Sequence, residues 1–236
     1  MADGLETLSR HPYPGRGILL GLTPDGSRWV QVYWITGRSE NSRNRILVRE
    51  GDGVRTAAYD PARLSDPSLI IYRCTAISAR CHVVSNGDQT DTIVTALAGG
   101  GSFEGALHTR TFEPDAPNYT PRIAGLTDLE DRTCAYRLAI LKAEGNDPAH
   151  AVRHFFTYAT GTPGQGHGLT TYAGLGDPLP PFTGEPWTAP VRDDAVATAA
   201  LYWDLLPGPL RVALLVKTID RADGAVTYTI RQAHQE

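Results

Sequence analysis

The most constraining feature of the sequence is the run 28–35 (Arg-Trp-Val-Gln-Val-Tyr-Trp-Ile), which carries large apolar side chains at both odd and even positions. Successive side chains of a β-strand point to opposite faces, so a strand over this run is apolar on both faces. Such a strand is expected between two layers of structure, because either face alone would expose apolar surface to water. The turn sequence Pro24-Asp25-Gly26 joins it to the apolar run 17–22 as a hairpin. The sequence therefore predicts a layered core.

Further apolar runs predict many antiparallel strands with a few helices, which is an α+β fold. Strands are expected at 45–50, 68–78, 80–85, 133–141, 153–160, 211–219 and 225–231. Helices are expected at 88–98, 103–109 and 193–206, and the first and last of these begin with acidic residues that suit a helix N-terminus. The whole chain, 1–236, is expected to form a single domain.

The segment 160–190 is rich in Gly, Pro and Thr and is predicted to be a long surface excursion, either a flexible loop or a lid. Within it, Gly161-Thr-Pro-Gly-Gln-Gly-His-Gly168 has the glycine content of a phosphate loop, but no Lys-Ser/Thr pair follows. A nucleotide-cradling role is therefore the less favoured interpretation of this segment.

Charge and cysteine content argue against several classes of protein. With 22 Lys and Arg against 26 Asp and Glu, the net charge is −4, and no basic stripe is available to bind a nucleic-acid backbone. The three cysteines, Cys74, Cys81 and Cys134, form neither a CxxC pair nor a disulfide framework. The chain start lacks a secretory signal pattern and no apolar run is long enough to cross a membrane, so we expect a cytoplasmic protein.

The segment 36–45 is dense in hydrogen-bond donors and directly follows the two-sided strand. It holds Arg38, Arg43 and Arg45 together with two asparagines and two serines. Arginine presents a planar fork of donors that suits phosphate, and Asn or Ser can complete the shell around it. We therefore expect anion binding here, the alternative being an ordinary solvated loop with scattered charge.

The segment 83–93 (Val-Val-Ser-Asn-Gly-Asp-Gln-Thr-Asp-Thr-Ile) predicts a strand, a tight turn at Asn86-Gly87 and then a helix start. The cap of this helix is expected to be one of three side chains: Asp88, Thr90 or Asp91. Free N–H groups at a helix start can hold an anion, but the two aspartates would repel a phosphate. A neutral heterocycle or a ribose hydroxyl suits the turn better, and a cap without any ligand is the alternative.

The segment 110–124 contains three prolines, which keep it extended and out of a helix. It carries Glu113, Asp115 and Arg122 on this stiff backbone. A carboxylate near an arginine can perform general acid/base chemistry once burial tunes its pKa. A plain surface ion pair is an equally good interpretation of these residues taken alone.

Signals for metal binding or covalent catalysis are weak. His150 and His154 have the i,i+4 spacing of a zinc peptidase helix, but Ala151 replaces the required Glu, and the surroundings favour a strand. A Gly-x-Ser-x-Gly nucleophile motif is absent from the sequence. We therefore predict no metal and no cofactor.

Several motifs together identify a family resemblance. They are Pro14-Gly-Arg-Gly-Ile-Leu-Leu-Gly21, Asn44-Arg45, Tyr72, Val83-Val-Ser-Asn-Gly87 with Thr90-Asp-Thr-Ile93, and Asn118-Tyr-Thr-Pro-Arg-Ile123. In order and spacing this set resembles the archaeal-type IMP cyclohydrolase family, over roughly residues 13–125. The Ser-Asn-Gly, Thr-Asp-Thr and Thr-Pro-Arg-Ile pieces are the most specific.

The resemblance implies a fold and a reaction. The fold would be a four-layer αββα sandwich resembling N-terminal-nucleophile hydrolases but without their nucleophile, and Met1-Ala2 indeed offers no Ser, Thr or Cys at the chain start. The reaction would be closure of the purine ring of 5-formamidoimidazole-4-carboxamide ribonucleotide. In that reaction the carboxamide nitrogen attacks the formyl carbon, and loss of water yields IMP.

The resemblance also implies roles for particular residues. Glu113 would shuttle protons, Tyr72 would donate near the formyl oxygen, and Arg45 would stabilise the developing oxyanion or orient the carboxamide. Asn86 would bind the base or the carboxamide, and candidates for the 5′-phosphate are Arg16, Arg38 and Arg122. The remaining expected substrate contacts are Asn44, Gly87, Thr90, Asp91 and Thr92. A homo-oligomer is also implied.

Two other interpretations stay open from the residues. The same ring closure can serve an analogue ribotide in a specialised nucleoside pathway, and a substrate panel would separate the two. Alternatively, the chain is a non-catalytic module that binds a ribotide, which the joint presence of Tyr72, Glu113 and Arg45 argues against. A purely structural protein gives no reason for the donor-dense segment 36–45.

Overall fold

The computed structural model describes residues 4–64 and 66–235. Its strands are β1 (Arg16–Leu22), β2 (Arg28–Thr36), β3 (Arg45–Glu50), β4 (Gly53–Ala58), β5 (Arg73–Ser78), β6 (Cys81–Ser85), β7 (Arg122–Asp128), β8 (Tyr136–Glu144), β9 (Asp147–Tyr158), β10 (Gln165–Thr170), β11 (Trp187–Pro190), β12 (Arg211–Asp220) and β13 (Val226–Gln232). Its helices are α1 (Gly4–Ser9), α2 (Glu40–Arg43), α3 (Gln89–Ala98), α4 (Phe103–His108) and α5 (Ala195–Leu205). The strands form two antiparallel sheets, in the orders β11-β10-β1-β2-β12-β13 and β3-β4-β5-β6-β7-β8-β9. This confirms the predicted α+β class.

The two-sided strand β2 lies in the middle of its sheet, between β1 and β12. On one face, Trp34 stacks on Trp187 and on Tyr202 of α5, with ring centroids 6.2 Å apart in both cases. On the other face, Tyr33 meets the second sheet, where its hydroxyl lies 2.6 Å from the hydroxyl of Tyr72. The predicted burial of β2 on both faces is therefore confirmed.

The two sheets pack face to face, and helices cover their outer faces. Leu20 of β1 packs so closely on Gly125 of β7 that a Cβ at position 125 would lie 2.8 Å from the leucine Cδ1 atom. On the outer face of the seven-stranded sheet, Ile93 of α3 and Phe103 of α4 are buried against Val83. Helix α5 lies on β12 and β13 of the other sheet. Burial of large side chains such as Ile93 and Phe103 contributes roughly 1.5–3 kcal/mol each.

Several predicted elements are confirmed, with shifts at their ends. Strand β3 has the predicted bounds, and the three predicted helices correspond to α3, α4 and α5. Helix α5 begins as predicted on an aspartate, since the Asp194 carboxylate accepts a hydrogen bond from the Ala197 amide at 2.7 Å. The strand predicted at 68–78 starts only at Arg73, because Ile70 and Ile71 donate to the Pro67 carbonyl in a turn. None of the helices in the described part of the chain has the length and apolar character needed to cross a membrane.

The segment 160–190 is not a loop throughout. It contains β10, which pairs with β1, and β11, which pairs with β10. Strand β10 was not predicted because it is rich in glycine. Its glycines are required by close packing, since a Cβ at Gly168 would overlap the Trp187 ring and a Cβ at Gly166 would lie 2.6 Å from the Leu20 carbonyl oxygen. The residues that suggested a flexible excursion thus permit close packing within a sheet.

Candidate functional site

A cleft of about 620 Å³ opens at the end of the sandwich where β1 begins and β2 ends. Five parts of the chain line it: 13–16, 36–45, 66–70, 113–120 and 172–179. Four of the predicted site residues line its walls, namely Arg16, Arg38, Arg45 and Glu113. The structure therefore brings the segments 36–45 and 110–124 together with Arg16 of the motif 14–21 in one place.

A buried ion pair lies at the wall of this cleft. The Arg16 Nη2 atom lies 3.0 Å from the Glu113 Oε2 atom, and the two residues are only 7% and 2% exposed. The Glu113 backbone is fixed by its amide, which donates to the Thr120 carbonyl at 2.8 Å. The second carboxylate oxygen, Oε1, is buried and has no hydrogen-bond partner within residues 4–64 and 66–235. Because an unpaired buried oxygen is costly, this atom is suited to receive a proton or a donor from a ligand.

Burial and neighbouring charges oppose each other at Glu113. Burial is the largest influence and raises the pKa of the carboxyl above its usual value, although Arg16 and Arg122 pull it down. Burial is also the largest influence on Arg16 and works against its charged form, but the Glu113 carboxylate and the neighbouring tyrosines together outweigh burial, so the pKa of the guanidinium is raised. A carboxyl whose pKa is raised takes up a proton more readily than an exposed one, which suits general acid/base chemistry.

The donor-dense segment forms the short helix α2 and one side of the cleft. Ser39 caps the helix by accepting a hydrogen bond from the Ser42 amide at 3.1 Å. Arg45 is 2% exposed and donates through Nε to the Ser42 carbonyl at 2.8 Å. Its Nη1 atom, like the Oδ1 atom of Asn41, is buried without a partner among the described residues. The cleft thus contains an unused buried donor and an unused buried acceptor on the same segment.

Arg38 lies on the same side of the cleft but, unlike Arg45, is exposed to solvent. Its guanidinium lies 4.8 Å from the ring centroid of Tyr13. Tyr13 in turn stacks on Tyr172, with centroids 5.7 Å apart. In the described part of the chain no carboxylate lies within ion-pair distance of Arg38. Its donors are therefore available to an anion, while stacking limits its motion.

Tyr72 lies behind the cleft rather than on its wall. It is 6% exposed, and its backbone is held by Thr56, whose hydroxyl accepts from the Tyr72 amide at 2.9 Å. Its hydroxyl lies 2.6 Å from that of Tyr33, and both phenols interact electrostatically with Arg16. The predicted tyrosine thus adjoins the Arg16–Glu113 pair.

The remaining predicted contacts are not brought to the wall of the cleft. Asn44 is used by Asp60, whose backbone amide and carbonyl bind its side chain at 2.8 and 2.9 Å. Asp91 forms an exposed ion pair with Arg73. Thr92 accepts a long bond of 3.4 Å from Arg110. These three side chains hold local structure together, and the geometry lends no support to their binding a ligand.

The turn at Asn86-Gly87 lies behind the Arg16–Glu113 ion pair and does not line the cleft. All of Asn86's bonds are internal: its amide donates to the Pro121 carbonyl at 2.9 Å, and its oxygen accepts from Ile123 and from Gln89. A Cβ at Gly87 would lie 2.6 Å from the Gln89 Oε1 atom and 2.7 Å from the Arg122 Nη1 atom, so a larger residue there would require these two side chains to shift.

The helix start beside this turn is also engaged internally. Thr90 shares a 2.5 Å hydrogen bond with the Ser85 hydroxyl. Asp88 does not cap the helix with its side chain; it binds Arg110 and Arg122 instead. Arg122 also donates to Gln89 at 2.8 Å, so its guanidinium donors bind groups inside the protein. Asp88, one of the three predicted caps, is thus used in ion pairs with Arg110 and Arg122. Arg122, a predicted phosphate ligand, is engaged by the same pairing.

Sequence reasoning missed the wall formed by Tyr13, Tyr172 and Thr120. The Tyr172 hydroxyl lies 2.5 Å from the Thr120 hydroxyl, which also bonds to the Asp115 carboxylate. Tyr172 falls in the segment predicted as a loop, and the residues before it, Gly168-Leu-Thr-Thr171, form no motif that would single it out. Its place at the cleft depends on the pairing of β10 with β1.

Known proteins similar to this chain share one name. The IMP cyclohydrolase of Methanopyrus kandleri is 36% identical over 121 residues, which are 50% of this chain and 60% of that protein. Those of Methanothrix thermoacetophila (34% over 118 residues, 48% of this chain and 57% of that protein) and Methanocella arvoryzae (33% over 138 residues, 56% and 64%) are similar. The chain therefore covers less than two thirds of the length of each of these relatives.

A family model covers much more of the chain than these pairwise matches do. The model of the family described as IMP cyclohydrolase-like protein matches residues 13–224, which include every part of the chain that lines the cleft. The resemblance predicted from the motifs is thereby confirmed. The chain belongs to the family of IMP cyclohydrolase-like proteins.

Proposed function

We propose that this protein is an IMP cyclohydrolase, which closes the purine ring of 5-formamidoimidazole-4-carboxamide ribonucleotide. The observation that carries the proposal is the group of buried polar atoms without partners at one cleft. They are Oε1 of Glu113, Nη1 of Arg45 and Oδ1 of Asn41, none of which is paired among the described residues. A polar ligand with both donors and acceptors is what such a set requires.

The reaction places modest demands on a protein. The carboxamide nitrogen and the formyl carbon belong to one molecule, so the enzyme must hold them in contact and move protons between them. A C–N bond forms between the carboxamide nitrogen and the formyl carbon, and the carbon–oxygen bond of the formyl group breaks. The oxygen leaves as water with one proton from the attacking nitrogen and one from the formamido nitrogen, and no electrons are transferred to an acceptor. A metal, a cofactor and a covalent nucleophile are therefore not part of the proposal.

Glu113 is proposed as the proton shuttle. Its free Oε1 atom accepts a proton from the attacking nitrogen and returns one to the leaving hydroxyl. The raised pKa of this carboxyl supports the assignment, and Arg16 keeps its other oxygen in place. Tyr72 is proposed to donate to the formyl oxygen, and Arg45 to stabilise the charge that develops on it.

Among the arginines, Arg38 is proposed to bind the 5′-phosphate. Arg16 is paired with Glu113, and Arg122 donates to Asp88 and Gln89, so both guanidinium groups already have partners within the protein. Arg38 is exposed at the cleft and stacked on Tyr13. This narrows the set of three phosphate candidates taken from the sequence to one.

Turnover by purified protein tests the proposal. The protein is incubated with the formylated ribotide without added metal, and IMP formation is followed by ultraviolet absorbance. We expect turnover well above the spontaneous rate and a loss of about 100-fold or more in the Glu113→Gln variant. Glu104→Gln is a matched control, because Glu104 pairs with Arg137 away from the cleft.

Other results would redirect the assignment. Turnover of an analogue ribotide in preference to the formylated one would point to the specialised nucleoside pathway. Tight IMP binding by a folded protein that forms no product would point to a ribotide-binding module. Wild-type rates in Glu113→Gln would remove Glu113 from the chemistry.

The finer properties inferred from the sequence remain part of the proposal. We infer an αββα sandwich of the N-terminal-nucleophile hydrolase kind, which the face-to-face sheets with helices outside support. A single domain over 1–236, a homo-oligomer and a cytoplasmic location remain predictions. Sedimentation equilibrium would test the second of these.

A further inference from the structure

Tyr33 is a completely buried residue whose only polar side-chain atom contacts a proposed catalytic group. It lies on β2 and is 0% exposed. Its hydroxyl oxygen lies 2.6 Å from the hydroxyl oxygen of Tyr72, which comes from the segment before β5. Within the described part of the chain, no other hydrogen-bond partner of the Tyr33 hydroxyl is found. The two phenols therefore form a hydrogen-bonded pair that runs from the inter-sheet core to Tyr72, behind the wall of the cleft.

The direction of this hydrogen bond follows from the requirement that the buried Tyr33 hydroxyl hydrogen has an acceptor. If Tyr72 donated to Tyr33, the Tyr33 hydrogen would be left unpaired in the core, which is costly for a buried donor. If Tyr33 donates, its hydrogen is paired and the Tyr72 hydrogen is free to turn towards the cleft. Burial, followed by the influence of Tyr72 and Cys74, raises the pKa of Tyr33, so this phenol keeps its proton.

We infer that Tyr33 is a positioning residue for ring closure: it donates a hydrogen bond to the Tyr72 oxygen and thereby points the Tyr72 hydroxyl at the substrate. The inference rests on the proposed function, because the group that Tyr33 acts through is the proposed donor to the formyl oxygen. As Tyr72 gives its hydrogen towards the formyl oxygen, charge develops on the phenol oxygen. A donor already aimed at that oxygen stabilises the charge without reorganisation.

Substitution of Tyr33 by phenylalanine removes the donor and keeps the ring. We expect kcat to fall about 10- to 100-fold, as for the loss of a hydrogen bond to a group that develops charge, and KM to change less than about twofold. A role confined to stability would leave the kcat of the folded fraction unchanged.

A double-mutant cycle tests whether Tyr33 acts through Tyr72. Tyr72→Phe should lower kcat by about 100-fold or more, and adding Tyr33→Phe to it should cost less than about twofold further. Additive losses from the two substitutions would overturn the inference, because they would mean that Tyr33 acts independently.

Tyr136→Phe is a matched control, since the Tyr136 hydroxyl is also buried and lies 2.6 Å from the His167 Nδ1 atom, away from the cleft. Circular dichroism and thermal unfolding show that each variant is folded before rates are compared. Wild-type kcat in Tyr33→Phe, with the unaltered protein active, would overturn the role of Tyr33 alone. Absence of turnover in the unaltered protein would overturn the proposed function and this inference with it.

Discussion

Arg16 and Glu113 form a buried ion pair across 3.0 Å, although 97 positions separate them in the chain. One carboxylate oxygen is held by the guanidinium, and the other is left without a partner in the part of the chain that the structure describes. The pair thus holds a carboxylate rigidly while leaving one of its oxygens free for chemistry.

Removing Arg16 should change the pH dependence of turnover. In Arg16→Gln, burial continues to raise the pKa of Glu113 while the strongest opposing charge is gone, so this pKa rises further. Since the shuttle must begin as a carboxylate, the acid limb of kcat against pH should move to higher pH. Measuring kcat from pH 5 to 9 checks this, with Arg137→Gln, which breaks the pair with Asp131, as the control. An unchanged acid limb would mean that Glu113 does not control it.

Removing Arg38 should weaken substrate binding with little effect on the chemical step. In Arg38→Ala we expect KM for the ribotide to rise about 10-fold or more and kcat to stay within about threefold, because a phosphate contact remote from the reacting atoms is retained throughout the reaction. The wild-type KM should also rise with salt. Arg132→Ala, another exposed arginine, is the control. Equal KM values for Arg38→Ala and wild type would exclude Arg38 from the phosphate site.

Lys217 should make the protein less stable at neutral pH than at alkaline pH. Its amine is buried between the sheets with no hydrogen-bond partner among the described residues. Burial lowers the pKa of Lys217 to about 7 from the usual 10.5. Between these values the unfolded chain keeps a proton that the folded protein releases, so this group makes stability rise with pH from about 7 to about 10.5.

Lys217→Met should abolish this rise and stabilise the protein at pH 7 by roughly 4 kcal/mol. Chemical unfolding of both proteins at several pH values measures the difference. Lys142→Met provides the contrast, because the Lys142 amine donates to the Phe182 carbonyl at 2.6 Å, and its loss should not stabilise. A destabilised Lys217→Met would mean that the amine has a favourable partner.

Local pattern was sufficient to predict the elements whose signals lie within a few residues. The alternation of apolar side chains in 28–35 predicted β2, and Asp194 predicted the start of α5. Strand β10 escaped prediction because its glycines are dictated by the Trp187 ring and the Leu20 carbonyl, which lie on neighbouring strands. A glycine chosen for a non-local contact has the same appearance in the sequence as one chosen for a turn.

The sequence by itself determined the layered α+β core, the family resemblance and the types of residue available for chemistry, because apolar periodicity, caps and motifs are local. Only the tertiary structure decided what each charged residue does. Arg16 is paired with Glu113, Arg122 with Asp88, and Arg38 stacks on Tyr13 while remaining free of a carboxylate among residues 4–64 and 66–235. The three arginines look alike in the sequence, and they differ because electrostatic pairing depends on distance in space, which is set by how the two sheets pack.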